Sequence, residues 1–478
     1  MHIVIIGGGP AGYEAALVAA EHNHRITLVS SEGLGGNSVL WDCVPSKALI
    51  VSADAMGWTQ SAERLGVRLP GRDDIRSGMV VDMPSVIDRV ATLARNQSSD
   101  IATKVTTAGV DVVHGVGRLS GANRVTIAPH EGDAYAIDSD MVLIATGSNP
   151  RVLPFFEPDG ERVFTARELF ALRELPERLI VVGSGATGAE YAHAFARFGS
   201  DVQLVSSREQ VLPSEDPDAA AVIEDSFERW GMTIHRERRA VDVTVVDDGV
   251  RVRTEMSKDG EAVEGSGEWI EGSHVLFCVG QVPASDDLGL ARVGVDVYEW
   301  GAIPVDGVSR TNVLTIYAAG DVTGGMMLAS TAAMQGRNAI WHFLGKSVQP
   351  LRSDVISRCV FTDPEVASVG IPTHKVAEHP SGIESVTLRF TGNPRAKMEE
   401  HTSGFVKLHA RRGSGTVLGG VVVANSASDL ITPLSVAVRN RLTVQQLAHA
   451  FTIYPSMAGS IQETARLLLA RQPDEAVY

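Results

Sequence analysis

Apolar residues recur along this chain in short unbroken runs, and several of the runs stop at a glycine. Residues 3–6 run into Gly7, residues 179–182 into Gly183, and residues 275–279 into Gly280. Runs of this length and composition predict buried β-strands. Further strands are predicted at 25–29, 110–117, 141–148, 201–205, 405–409 and 418–423, and from 316. Helices are predicted over 13–21, which is alanine-rich, and from 43 to about 55, 84 to 108 and 331 to 344, with another ending near Phe198. Residues 57–76 are polar and glycine-rich and predict a loop. Residues 360–370, 405–409 and 418–423, with the helices after them, predict a separate C-terminal unit.

Two of these strands lead into the same kind of turn. Gly7, Gly9 and Gly12, with Pro10 and Ala11 between them, fit Gly-x-Gly-x-x-Gly between strand and helix. Gly183, Gly185 and Gly188, with Thr187, repeat the pattern in the same setting. Glycine permits the tight turn and a close backbone approach, and the helix start then presents free N–H groups to a pyrophosphate. One such match is weak, but two in one chain imply two dinucleotides. After the first unit's second strand, where an acid for a ribose is expected, the chain reads Ser30-Ser31-Glu32, so Glu32 is a displaced candidate. After the second unit's second strand it reads Ser206-Ser207-Arg208. A carboxylate there would repel the 2′-phosphate of NADP. Hydroxyls and a guanidinium suit that phosphate, so NADPH is the expected reductant, with NADH an alternative. Arg208 as a solvated surface residue is the competing reading.

Composition narrows the class further. The chain has 478 residues, far more than one core serves. Its formal net charge of −16 argues against nucleic acid or an anionic membrane as partner. The three cysteines, Cys43, Cys278 and Cys359, are far apart and lack metal-ligand spacing, so no metal site is expected. This excludes a secreted disulfide scaffold and makes the cytoplasm the expected compartment. No apolar run approaches the roughly 20 residues that span a bilayer, and the N-terminus reads as a strand, not a signal segment.

The stretch Gly35-Gly36-Asn37-Ser38-Val39-Leu40-Trp41-Asp42-Cys43-Val44-Pro45-Ser46-Lys47 carries a resemblance across the whole chain. It resembles the flavoprotein disulfide reductases, lipoamide dehydrogenase and glutathione reductase among them. Their pattern is Gly-Gly-x-Cys-x-x-x-x-Cys-x-Pro-Ser-Lys, with both cysteines forming a redox disulfide beside FAD. Here Ser38 stands where the first cysteine belongs, and a hydroxyl cannot form a disulfide. The resemblance implies an α/β fold with two Rossmann-like nucleotide-binding domains, for FAD and NAD(P), and a C-terminal α+β dimerisation domain. The implied boundaries are 1–149 and 282–349 for the two parts of the FAD domain, 150–281 for the NAD(P) domain and 350–478 for the last.

The resemblance also assigns site residues. Cys43 would lie against the flavin, or else be a small buried hydrophobe. Lys47 would sit near the flavin and pair with Glu190. Gly36, Asn37 and Ser38 would contact the cofactor, Gly115 would offer backbone to the adenine, and Ala145-Thr146-Gly147 would form a turn beside it. Gly320-Asp321 would bind the ribitol through the carboxylate, and Met327, Leu328 and Ala329 would lead a helix towards the ring. Gly280 would close the nicotinamide domain, with Cys278 inert in mid-strand. Where the family carries His-Pro-Thr-x-x-Glu, this chain reads Tyr454-Pro455-Ser456-Met457-Ala458-Gly459. Tyr454 replaces the base, either donating a hydrogen bond or merely packing, and Gly459 replaces the acid that orients it.

With thiol, base and acid missing together, the chain is most similar to the quinone-reductase branch of the family. The expected reaction is FAD-dependent transfer from NADPH to a quinone-type acceptor, in a homodimer. A soluble nicotinamide transhydrogenase and a non-catalytic nucleotide-binding protein on this scaffold are the alternatives.

Overall fold

The computed structural model describes residues 1–68, 79–258 and 260–471. Its first sheet has seven strands. Five are parallel, in the order Ile316–Ala318, Met141–Ile144, His2–Ile6, Arg25–Ser30 and Asp111–Gly121, and an antiparallel meander adds Arg124–Pro129 and Tyr135–Asp138. The strand that comes last in sequence takes the edge, so the chain leaves this sheet and returns to it. The exit strand Ser148–Pro150 and the re-entry strand Gln281–Pro283 pair antiparallel. A second, parallel sheet lies between them in sequence, ordered Thr233–His235, Asp201–Val205, Arg178–Val182, His274–Phe277 and Val163–Thr165. A smaller antiparallel sheet of Arg238–Val246, Gly249–Lys258, Glu261–Ala262 and Glu268–Gly272 follows, and the C-terminal sheet is antiparallel, ordered Arg358–Val360, Glu365–Gly370, Val417–Ala424, Phe405–Arg411 and Ile383–Arg389. No helix among the described residues is long and apolar enough to cross a membrane.

The unbroken apolar runs follow from coverage on both faces. Neighbouring residues of a strand point to opposite sides. Ile3 and Ile5 enter a core with Ala11, Ala15 and Ala16 of the helix Pro10–Ala20, while Val4 and Ile6 enter another with Leu119, Val125 and Ile127. Leu179 and Val181 are likewise separated from Ile180 and Val182. Burying such a side chain contributes about 1.5–3 kcal/mol, so a polar residue at any of these positions would be costly. The C-terminal sheet is also covered twice. Val406, Leu408 and Val422 pack with Leu434 and Ala465 of its own helices. Phe405, Val421 and Val423 join a core with Phe195, Phe198 and Phe227 from the second unit and Leu49, Ile50 and Ala53 from the first.

The helix predicted to end near residue 55 runs on as Cys43–Ser61, into the expected loop. Gly57 was a loop signal in the sequence, but its role is close approach. A Cβ there would lie 2.0 Å from Nη1 of Arg197. The rest of that expected loop falls largely on residues 69–78, outside the described residues. Cys278 is not in mid-strand, because the strand His274–Phe277 ends before it and Cys278 enters the following turn.

Arg197 is buried at the meeting point of all three units. On the helix Ala186–Phe198, it ion-pairs with Asp363 ahead of the strand Glu365–Gly370. Its Nη1 lies 3.4 Å from Asp54 on the helix Cys43–Ser61, and its guanidinium stacks over Trp230 at 4.4 Å. His193, one turn earlier, places Nε2 3.3 Å from the same Asp54. Removing one member of a buried charge cluster strands the others. Arg197→Met is therefore expected to lower unfolding free energy by about 3–5 kcal/mol, read from denaturant midpoints. A loss under about 1 kcal/mol, the range of an exposed pair, would contradict this placement.

Candidate active site

The two glycine loops are built alike. Gly7 has φ +118° and Gly183 has φ +109°. A Cβ at Gly12 would lie 1.9 Å from the Gly7 carbonyl oxygen, and one at Gly188 would lie 1.8 Å from that of Gly183. The third glycine of each fingerprint is thus required for the helix to start against the loop. Neither helix carries a side-chain cap at its N-terminus, Gly9 in one case and Gly185 in the other. Their first N–H groups are left free for an anion.

The first loop opens on a long cleft. Gly9, Pro10 and Ala11 form part of its wall, followed by Glu32, then Gly36, Asn37 and Ser38, then Asp42 and Cys43. Gly115, Ala145, Thr146, Gly147, Gly320, Asp321, Met327 and Ala329 complete it from distant parts of the chain. The uncapped N-terminus of the helix Ala329–Phe343 adds a second set of open donors. Two open helix starts and a glycine-lined wall fit a dinucleotide such as FAD. Asp321 is oriented by Ser148, whose hydroxyl donates to it at 2.8 Å. Glu32 accepts from the Trp41 indole at 2.7 Å and is paired with Arg167. Three residues expected at the cofactor, Gly12, Lys47 and Leu328, are not part of the wall. Gly12 packs on the loop behind it, Leu328 is the N-cap of the helix Ala329–Phe343, and Lys47 turns to Glu190.

Lys47 Nζ lies 2.8 Å from Oε2 of the buried Glu190. The Phe361 N–H donates to Oε1 of the same carboxylate at 3.0 Å. Burial works against the Lys47 ammonium, but the Glu190 charge and hydrogen bond outweigh it and hold its pKa above the ordinary lysine value. Burial pushes the Glu190 carboxyl up, and Lys47 opposes that rise. Cys43 begins its helix, yet its thiol is pushed up to about 11, by burial first and then by the Asp42 charge. It is therefore a protonated thiol at neutral pH, unlike the lowered thiols of dithiol enzymes. Ser38 donates its hydroxyl to the Gly35 carbonyl at 2.9 Å. All three cysteines are free. Burial raises the thiols of Cys278 and Cys359 as well, helped first by Asp42 in one case and by Glu365 in the other.

The second loop is surrounded differently from expectation at one residue. Ser206 is fully buried. Its hydroxyl meets that of Ser184 at 2.7 Å and the Arg208 carbonyl at 2.9 Å. It braces the loop and offers nothing to a ligand, which corrects its expected role. Ser207 is half-buried and Arg208 exposed. The Arg208 guanidinium lies against Gly260, where a Cβ would come within 2.3 Å of it. Arg239 donates to the Gly260 carbonyl, so two guanidinium groups close on one residue. Thr187 lies in the first turn of the helix Ala186–Phe198, and Gly280 faces Arg151 across the connector. Tyr454 is 82% exposed and does not line the cleft. Within one chain it is not brought to the site.

Four residues of this arrangement escaped the sequence reading. Asp42 and Trp41 lie inside the signature but at positions the family pattern leaves free. Ser148 and Arg167 come from outside any motif and are placed only by folding. No metal-holding group of His, Cys, Asp or Glu exists among the described residues.

A paired set of such loops beside a buried lysine–glutamate pair defines an FAD- and pyridine-nucleotide-dependent oxidoreductase. Comparison with known proteins names the group. Residues 1–336 match the family described as pyridine nucleotide-disulphide oxidoreductase, and residues 356–465 match the dimerisation domain of that family. The chain belongs to this family, whose members are flavoprotein oxidoreductases using FAD and NAD(P)H. It is 45% identical to a Mycobacterium tuberculosis protein named NAD(P)H dehydrogenase (quinone), over 98% of this chain and 94% of that one. It is 34% identical to dihydrolipoyl dehydrogenase of Chlorobaculum tepidum, over 97% and 96%. The crystal structure of LpdA from Mycobacterium tuberculosis superposes with a TM-score of 0.91 at 44% identity, covering 98% of this chain and 99% of that one. The flavoprotein disulfide reductase RclA from Escherichia coli, at 24% identity and a TM-score of 0.84 over 98% and 100%, shares the fold.

Proposed function

We propose that this chain passes reducing equivalents from NADPH to a quinone-type acceptor without a redox disulfide, as a homodimer. The carrying observation is Ser38, which fills the first thiol position while all three cysteines stay free. A dithiol relay has no second sulfur to use. The relative named NAD(P)H dehydrogenase (quinone) supports the acceptor class. The boundaries expected from the sequence, 1–149 with 282–349 for FAD, 150–281 for NAD(P) and 350–478 for dimerisation, suit the order of the sheets along the chain and are part of this proposal.

Bound FAD supplies the two-electron relay between nicotinamide and acceptor. Gly9, Pro10 and Ala11 would hold its pyrophosphate, Asp321 its ribitol and the Gly115 backbone its adenine. The Lys47–Glu190 pair would fix a cation beside Cys43 and orient the helix that carries both. Cys43, protonated, would act as a lone neighbour and not as a nucleophile. Arg208 would bind the 2′-phosphate, since it has no carboxylate partner among the described residues and Arg239 sits beside it. Three free thiols suit a reducing compartment, and we place the protein in the cytoplasm.

The homodimer is supported by the matched dimerisation domain and by one exposed loop. Phe451 is 104% exposed, and Ile453 and Tyr454 are each 82% exposed. Apolar side chains this bare in a row suit a covered surface. Light scattering at micromolar concentration should return the mass of two chains, and the mass of one would overturn the assembly.

Steady-state assays test the reaction itself. Quinones should be reduced with NADPH, while lipoamide, glutathione disulfide and oxidised nicotinamide are turned over negligibly. In the same assay Arg208→Ala should lose roughly ten- to hundredfold in NADPH efficiency, the value of one charge-assisted phosphate contact. NADH efficiency should change little. Turnover of a disulfide substrate would sink the acceptor reading, and equal losses with both nucleotides would sink the role of Arg208.

A further inference from the structure

Asp42 lines the cleft and is left without a task by the residues above. It precedes Cys43 at the head of the helix Cys43–Ser61, yet its side chain caps no backbone N–H. Asp42 forms cleft wall together with Ser38, Cys43 and Asp321. Among the described residues nothing hydrogen-bonds to it. Several ionisable groups are coupled to it electrostatically. Cys43 and Lys47 belong to its own helix, and Glu190 and Tyr191 to the helix Ala186–Phe198. Cys278 and Asp321 come from the turns after the strands His274–Phe277 and Ile316–Ala318. Lys47 is the single cation of that set, and it is committed to Glu190 at 2.8 Å. Burial holds the Asp42 carboxyl above its ordinary range, with Lys47 opposing.

We propose that Asp42 is the proton donor to the acceptor. The proposal rests on the quinone reading and adds the residue that completes it. A quinone takes up two electrons and two protons on becoming a hydroquinone. NADPH brings two electrons and one proton as hydride, so one further proton is needed. In the proposed step the O–H bond of protonated Asp42 breaks and an O–H bond forms on the acceptor oxygen. Asp42 is left as carboxylate and regains its proton from water. The other candidates are unsuited. Tyr454 does not line the cleft within one chain, the Tyr191 hydroxyl is fully buried outside the cleft wall, and the Cys43 thiol is a far weaker acid with its pKa at about 11.

The test compares two acceptors in Asp42→Asn. Quinone reduction should fall about tenfold or more, the scale of general-acid contributions. Ferricyanide takes an electron and no proton, so its reduction per bound FAD should fall clearly less than quinone reduction does. Asp42→Glu keeps the acid and should retain most quinone activity. Because the donor must be protonated, wild-type quinone turnover should fall as pH rises, and Asp42→Asn should lack that limb. Independently of turnover, infrared spectroscopy should show a protonated-carboxyl carbonyl stretch that persists to higher pH than in free aspartic acid and vanishes in Asp42→Asn. Unchanged quinone reduction, parallel loss with both acceptors, or absence of that band overturns this proposal alone. Wild-type protein that reduces ferricyanide but no quinone overturns the acceptor reading and this proposal with it.

Discussion

Lys47 and Glu190 come from helices of different units, Cys43–Ser61 and Ala186–Phe198, and their contact at 2.8 Å decides how those helices meet. An unpaired carboxylate as buried as Glu190 would cost several kcal/mol. The pair avoids that cost only if the helix Cys43–Ser61 lies against the helix Ala186–Phe198 in one register. The Phe361 N–H then satisfies the second carboxylate oxygen from the C-terminal unit. Further along the same two helices, Asp54 meets His193 and Arg197, and Arg197 reaches Asp363. Two charged contacts on one helix pair are thus both tied to residues 361–363. The register that satisfies them also sets where Cys43 and Asp42 stand on the cleft.

Glycine supplies the complementary constraint. Where the charges hold three units together, the missing side chains of Gly12, Gly188 and Gly57 let backbone and guanidinium approach closely. The fingerprints appear twice because the same problem, starting a helix against a strand end with its N–H groups free, is solved twice. The outcomes differ in their surroundings. The first loop meets a second open helix start, at Ala329–Phe343, and a wall of residues from many parts of the chain. The second lies beside Arg208 and Arg239, on a surface suited to a phosphate.

The fold was legible in the sequence because strands covered on both faces leave unbroken apolar runs, and because the helix starts are marked by glycines. The family and its flavin chemistry were legible in the stretch Gly35 to Lys47, and the Lys47–Glu190 contact was implied by two motifs. What was not legible depended on distance or on a double meaning. Gly57 signals a loop by composition but sits inside a helix, since the signal for a turn and the signal for close packing are the same residue. Ser206 was read as a ligand because of its place after a strand, but its hydroxyl is spent on Ser184. Arg167, Ser148 and Asp363 are brought to their partners from more than a hundred residues away, which no local pattern encodes. Asp42 was in plain view, but the family pattern leaves its position free.

The central claim is that this chain keeps the nucleotide clefts of a disulfide reductase and stores electrons on the flavin alone. Anaerobic dithionite titration of the purified protein measures that capacity directly. With Ser38 unable to accept electrons and Cys43 lacking a partner, the flavin should be fully bleached by two electrons per FAD. Uptake of four electrons per FAD would show a second, thiol-based store and contradict the account.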